Sequence, residues 1–229
     1  MMDLLAWLRP AAAPAPLAPP VVMGPSCPVS PAAESLIIQC EISSESYYAA
    51  RAARPTWPGG ASGVTIGIGY DLGYVSSAGF RVSWGALLPA ADLDALAAVC
   101  VLKGALAAGV VAHVASITIP LKAARAVFDG DTLPHTAITT RHVFQNCDAL
   151  PPDCFGALVS LVYNRGASMG VPGQANDSRL EMRQIRDAMA AKNYAAVPGA
   201  IRSMKRLWTN GLVARREAEA TLFEKGLHA

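Results

Sequence analysis

The stretch GVTIGIGYDLG, from Gly63 to Gly73, constrains the fold of this chain more than any other. Its Val, Thr and Ile residues favour extended backbone, while glycine recurs at 67, 69 and 73 and one acid, Asp71, nearly closes the run. As a straight strand, Thr65 and Asp71 would share a face but stand roughly 20 Å apart, at about 3.3 Å per residue. That is too far to act on one bond. Glycine tolerates positive φ, so the segment is expected to fold back as a tight hairpin. The return brings Asp71 close to Thr65 and keeps the turn free of bulky side chains, leaving a surface along which a polymer could lie. A structural alternative gives Asp71 only the task of capping a turn. The glycines read G-x-G-x-x-x-G, which is not the dinucleotide-binding fingerprint.

A chain of 229 residues holds one substantial domain or a modest two-lobed one, and with 52% apolar residues it can pack a core without metals or disulfides. The net charge of +2 is too small to point to a nucleic-acid partner. Five cysteines (Cys27, Cys40, Cys100, Cys147, Cys154) are odd in number and lack C-x-x-C spacing, against both a disulfide framework and a structural zinc site. Cys40 and Cys100 lie in apolar runs and read as small core residues; Cys147 and Cys154 are not expected to bridge. His113, His135, His142 and His228 show no ligand spacing, so no metal and no cofactor is expected.

Eight prolines between Pro10 and Pro31 make residues 1–31 a Pro/Ala-rich linker or tail, with the folded domain over 32–229. The apolar MDLLAWLRP lacks a basic start, and prolines interrupt the residues after it, so neither a signal peptide nor membrane insertion is expected. From Ala32 a stripe of Leu36, Ile37, Cys40, Tyr47 and Tyr48 predicts one helix to about Arg51, carrying Glu41 and Glu45 one turn apart on one face. A loop rich in Pro and Gly, the hairpin and a turn through Ser76, Ser77 and Gly79 come next. Beyond Asp92 the pattern is helical: one long apolar helix over 92–109, another over 119–129, and a buried central helix in DCFGALVSLVYNRG with Asp153 as its cap. A helix opened by a Ser178–Glu181 capping box turns Leu180, Ile185 and Met189 inward, and Asn210 is expected to cap the last helix. The fold class is therefore α+β and predominantly helical, a small hairpin lobe beside a larger helical lobe.

TIGIGYDLG resembles the Thr-Ile-Gly-(Ile/Tyr)-Gly core of phage-type lysozymes, the muramidase superfamily, and most resembles its pesticin-like branch, in which the acid follows the threonine by six residues. GALVSLVYNRG is similar to that family's central helix. SMKRLW followed by GLVARREAEATLF is similar to its C-terminal tryptophan and arginine-rich helix, so the resemblance covers roughly residues 35–226. The commonest phage pattern places an acid or cysteine six residues before the threonine and a histidine after the glycines. Here those positions are Gly59 and Tyr70, and the loop between Glu41 and Thr65 is longer. These departures fit the pesticin-like branch.

The resemblance implies a lysozyme-like fold that hydrolyses the bond between N-acetylmuramic acid and N-acetylglucosamine, in phage lysis or as an antibacterial toxin. Such chemistry needs an acid in a partly apolar setting and a second carboxylate that directs water. Glu41, at the end of LIIQC, is preferred as the acid over Glu45, which serines surround. Asp71 is the second carboxylate, and the resemblance gives Thr65 the water. Trp57 and Tyr70 are candidate substrate contacts, as are Asn164 and Arg165, for which a helix-end structural network is an equal alternative. Arg215 and Arg216 are expected to pair with carboxylates, Glu219 or Glu41 among them. The implied partners are peptidoglycan glycan strands, with an immunity protein or a delivery module as further candidates, and the chain is expected to be monomeric. It would be made in the bacterial cytoplasm and act in the periplasm or cell wall after export by a holin or secretion system. A chitinase or chitosanase on the same fold, or a non-catalytic wall-binding module, are the competing readings.

Overall fold

The structure, a computed structural model, describes residues 29–174, 176–209 and 211–229. The bulk of the expected linker and the expected cap Asn210 lie outside the described residues. The linker's last residues belong to the folded body. Ser30 is buried and its Oγ accepts the Ala33 N–H at 3.1 Å, with Pro31 opening helix α1 (Pro31–Glu41). The domain thus begins upstream of Ala32.

The single helix expected to Arg51 is two. Ile42 leaves helical geometry at φ −135°, and Ser44 starts α2 (Glu45–Arg51) by accepting the Tyr47 N–H at 3.1 Å. Two serines in succession prefer capping to helix interior, which breaks the run. Glu41 therefore ends one helix while Glu45 lies exposed in the first turn of the next, no longer on a shared face.

The hairpin forms as expected. Strand β1 (Thr65–Ile66) pairs antiparallel with β2 (Tyr70–Asp71), with Thr65 opposite Asp71 and Ile66 opposite Tyr70. Gly67 at φ +58° and Gly69 at φ +66° turn the chain, and Thr56 bridges Thr65 from the other side. At the base, a Cβ on Gly63 would land in the backbone of Gly73 and 2.5 Å from Asp71 Oδ1, so only glycine allows this closure. A short 3₁₀ turn, Leu72–Tyr74, comes after it.

Ser76 caps α3 (Ser77–Trp84), where only a turn was expected; Phe80 and Trp84, four apart, bury one face of it. The expected long helix over 92–109 is interrupted: α4 (Ala90–Ala97) and α5 (Ala105–Val114) are separated by Val101 at φ +60° and Gly104 at φ +57°. The break has a tertiary cause. Val101 N–H donates to Leu72 O and Gly104 N–H to Ser62 O, both at 2.9 Å, clamping the hairpin base. Next come α6 (Leu121–Val127), a π-helical turn (Phe128–Thr132) and α7 (Leu133–Val143).

The helical lobe is built around α8 (Pro152–Arg165), buried without interruption from Cys154 to Val162, as its all-round apolar pattern predicts. Asp153 lies within its first turn and makes no capping bond; Pro151 precedes the helix instead. α9 (Leu180–Ala190) likewise starts without the expected capping box, because Glu181 is fully buried and taken by Arg206 Nε at 2.6 Å. Met182, Ile185 and Met189 face inward, whereas Leu180 is 40% exposed. After α10 (Val197–Ser203), α11 (Leu212–Leu227) packs along α8, with α1 and α7 also against it. The architecture is α+β and predominantly helical, with a small two-stranded sheet. Among the described residues, no helix is long and apolar enough to cross a membrane.

Cys147 and Cys154 are both buried and their thiols turn to different carbonyls, Phe144 O at 3.2 Å and Phe223 O at 3.1 Å. Cys100 is a core residue as expected; Cys40 is exposed, because the buried stripe of α1 runs through Ala33 and Ile37.

An ionic clasp joins α10 to α11. Arg202 donates to Glu217 Oε1 at 2.8 Å and to both oxygens of Glu224, and Lys205 reaches Glu217 Oε2. Arg202 holds Glu224, and Lys205 with Arg202 holds Glu217, below their ordinary value of 4.5. Depressed carboxylates add stability above that ordinary value, and the gain is lost as pH falls through the depressed values. The melting temperature should therefore drop as pH falls below about 4.5, with a smaller drop in Arg202→Ala. Equal drops in both proteins would show that the clasp does not contribute.

Candidate active site

Glu41 sits at the last position of α1, where the chain turns out of the helix, and its side chain is 24% exposed. A carboxylate at the negative end of a helix is electrostatically unfavourable, and a neighbouring cation offsets this. That cation is Arg215 from α11: its Nη1 donates to Glu41 Oε1 at 2.7 Å. The other oxygen, Oε2, faces the hairpin tip, 3.7 Å from the place a Cβ on Gly69 would occupy. Tyr163 of α8 holds that tip by donating its hydroxyl to Ile68 O at 2.8 Å. Burial, reinforced by the nearby Glu41 charge, pushes the Tyr163 phenol well above its ordinary value, so it stays a donor.

Gly69→Ala tests this contact. A Cβ would fall 2.6 Å from the Tyr163 hydroxyl, and left-handed backbone costs a non-glycine residue about 1–2 kcal/mol. Loss of at least that much stability in denaturant titration is expected. A variant as stable as the parent would mean the tip does not adopt this turn.

Behind Glu41 lies a buried ionic cluster. Arg215 and Arg216 are 4% and 0% exposed, and both meet Glu219, which is fully buried: Arg215 Nε at 3.1 Å from Oε1 and Arg216 Nε at 3.1 Å from Oε2. Ser160 of α8 donates its hydroxyl to Glu219 Oε1 at 2.6 Å. Burial disfavours the Arg215 cation, but Glu219 and Glu41 outweigh it and hold its pKa above the ordinary value. Burial pushes the Glu219 carboxyl up, with Arg216, Arg215 and Ser160 opposing. Both expected arginine pairings occur: Arg215 bridges Glu41 and Glu219, and Arg216 joins Glu219 to Asn164, its Nη2 lying 2.8 Å from Asn164 Oδ1.

A cavity of about 490 Å³ is lined by Cys40, Glu41, Asn164, Gly211, Leu212 and Arg215. Asn164 spends its carbonyl oxygen on Arg216, which leaves its amide N–H groups as donors on the cavity wall. Among the described residues, no three His, Cys, Asp or Glu side chains gather as a metal site.

Asp71 and its partner Thr65 have a more structural setting. They are cross-strand neighbours, as expected, but neither lines this cavity. Asp71 Oδ1 accepts the Gly63 N–H at 2.9 Å and the Gly73 N–H at 2.8 Å, so one oxygen does cap a turn. Its Oδ2 makes no hydrogen bond among the described residues.

Three candidate contacts lie elsewhere. Tyr70 is 8% exposed, packed edge-on against Trp84 at 5.5 Å, because it occupies the inward face of β2, so the structure places it in the core. Trp57 is half-buried against the core and gives its indole N–H to Ser62 O at 3.0 Å, fastening its own loop. Arg165 turns away from Glu41: it donates to Ser178 O and stacks over Trp208 at 4.9 Å. Burial, with Arg179 and Arg216 nearby, pushes its pKa down to about 10. Its place is the helix-end network.

Ser160, Tyr163 and the role of Glu219 as a hub were not evident from the sequence. Ser160 did carry a signal, since a hydroxyl in the middle of an all-apolar helix requires a buried partner. No protein-family model matches this chain, and no curated protein matches it.

Proposed function

We propose that this protein is a peptidoglycan hydrolase, a muramidase, with Glu41 as its acid. The observation that carries the reading is the division of labour at Glu41: Arg215 holds Oε1, while Oε2 is left facing the hairpin tip beside an open cavity. Positioned this way, Oε2 gives its proton to the glycosidic oxygen as the bond to C1 breaks. Water adds to C1 and passes its proton to Asp71 Oδ2, with the Thr65 hydroxyl orienting the water. The Asn164 amide binds a sugar oxygen. The resemblance of TIGIGYDLG and of the central and C-terminal helices to phage-type lysozymes supports the substrate assignment. On this reading the protein acts at the cell wall once exported, in phage lysis or as a toxin.

The use of Asp71 Oδ1 by two backbone N–H groups favours a second reading, a wall-binding module of the same fold in which Asp71 is purely structural. One experiment separates them: turbidity of outer-membrane-permeabilised cells, with mass analysis of borohydride-reduced products. Fragments ending in reduced N-acetylmuramic acid support the muramidase. Reduced N-acetylglucosamine ends, or sedimentation with wall without any release, overturn it.

A further inference from the structure

Glu219 has no contact with solvent and lines no part of the cavity, yet it makes more bonds than a packing role needs. Two buried cations meet it side by side. Ser160, a buried hydroxyl in the apolar stretch of α8, also points at it. Breaking a buried charge pair is costly, so a carboxylate between two arginines fixes both in place. Among the described residues, Arg215 is the link from this hub to Glu41. Its fork is planar and rigid: Nε bonded to Glu219 sets the plane, Nη2 bonded to Ser160 O at 3.2 Å sets the reach, and Nη1 then falls on Glu41 Oε1 at 2.7 Å.

We infer that Glu219, supported by Ser160, is a positioning residue that aims Arg215 at Glu41 Oε1 and so leaves Oε2 for the substrate. This rests on the muramidase reading for its kinetic consequence, but not for its geometry. Positioning acts on the barrier rather than on sugar binding. Misplacing a reacting group by about 1 Å can cost on the order of a hundredfold in rate.

The test is Glu219→Gln, which keeps shape and removes charge, assayed on soluble glycan oligomers at equal folded concentration. The expected result is a loss of about ten- to a hundredfold in kcat with KM within about twofold. Arg215→Lys, which keeps the charge but not the fork, should lose a similar factor, and the double variant little more than either alone, since the residues act as a unit. A folded Glu219→Gln with kcat within about twofold of the parent, or fully multiplicative losses, overturns the inference. Should Glu219→Gln fail to fold, Ser160→Ala decides: a kcat loss of about threefold or more supports the role, an unchanged kcat overturns it. The Arg215 Nε–Hε NMR resonance gives a readout free of activity. It should move in Ser160→Ala, Glu219→Gln and Glu41→Gln alike. If the parent protein releases no product, the muramidase reading fails, and this resonance alone judges the positioning claim: unmoved, it overturns it.

Discussion

If the protein is the proposed muramidase, Glu41→Gln is expected to remove wall lysis altogether while the protein stays folded. The substitution preserves the shape of the side chain and its bond from Arg215 Nη1, because an amide oxygen accepts as a carboxylate oxygen does. On the muramidase reading, what it deletes is the acid group that faces the hairpin tip. General acid catalysis contributes about 10²–10⁴-fold, and a variant without this proton donor should lose at least that. Stability should fall less. The pair with Arg215 is partly exposed on the Glu41 side, and Arg215 keeps Glu219 as its counter-charge. Lysis, product analysis and thermal melting on one preparation check all of this. Near-parental turnover by Glu41→Gln, with the loss appearing in Glu45→Gln instead, would place the acid on α2.

Asp71→Asn carries the second large effect and separates the two roles this carboxylate could have. Asparagine can keep an oxygen where Oδ1 now accepts from Gly63 and Gly73, so the turn cap survives. The negative charge and the proton-accepting Oδ2 do not. If Asp71 handles the attacking water, turnover should fall by about 10²–10³-fold, as for other positioned electrostatic groups, with stability close to the parent. Asp71→Ala, which also removes the cap, should lose stability in addition, by about 0.5–2 kcal/mol. An Asp71→Asn protein that lyses walls at the parental rate would leave Asp71 as a structural residue and hand the water to another group.

The legible parts of this molecule are those governed by neighbours in the chain. The hairpin arises from glycines at 67 and 69, whose positive φ no other residue adopts so readily, and the register that sets Thr65 opposite Asp71 arises from the turn between them. The central helix α8 reflects an unbroken apolar run. The pairing of Arg215 with Glu219 reflects helical spacing. The expectations that failed include those in which local preference competed with a distant partner. The Ser178–Glu181 capping box is absent because Arg206, from a later segment, takes Glu181. The long helix after Asp92 is broken because Val101 and Gly104 bond to the hairpin base. Tyr70 entered the core because Trp84 offered it a partner there.

The site shows the same division. Sequence alone determined which acids exist and that Glu41 ends an apolar run. Only the tertiary structure decided that α11 returns to α1, so that Arg215, far along the chain, takes one oxygen of Glu41 and Tyr163 draws the hairpin tip toward the other. Contacts of that separation depend on how helices pack around α8, and side-chain packing of whole elements is not encoded in any short window of residues.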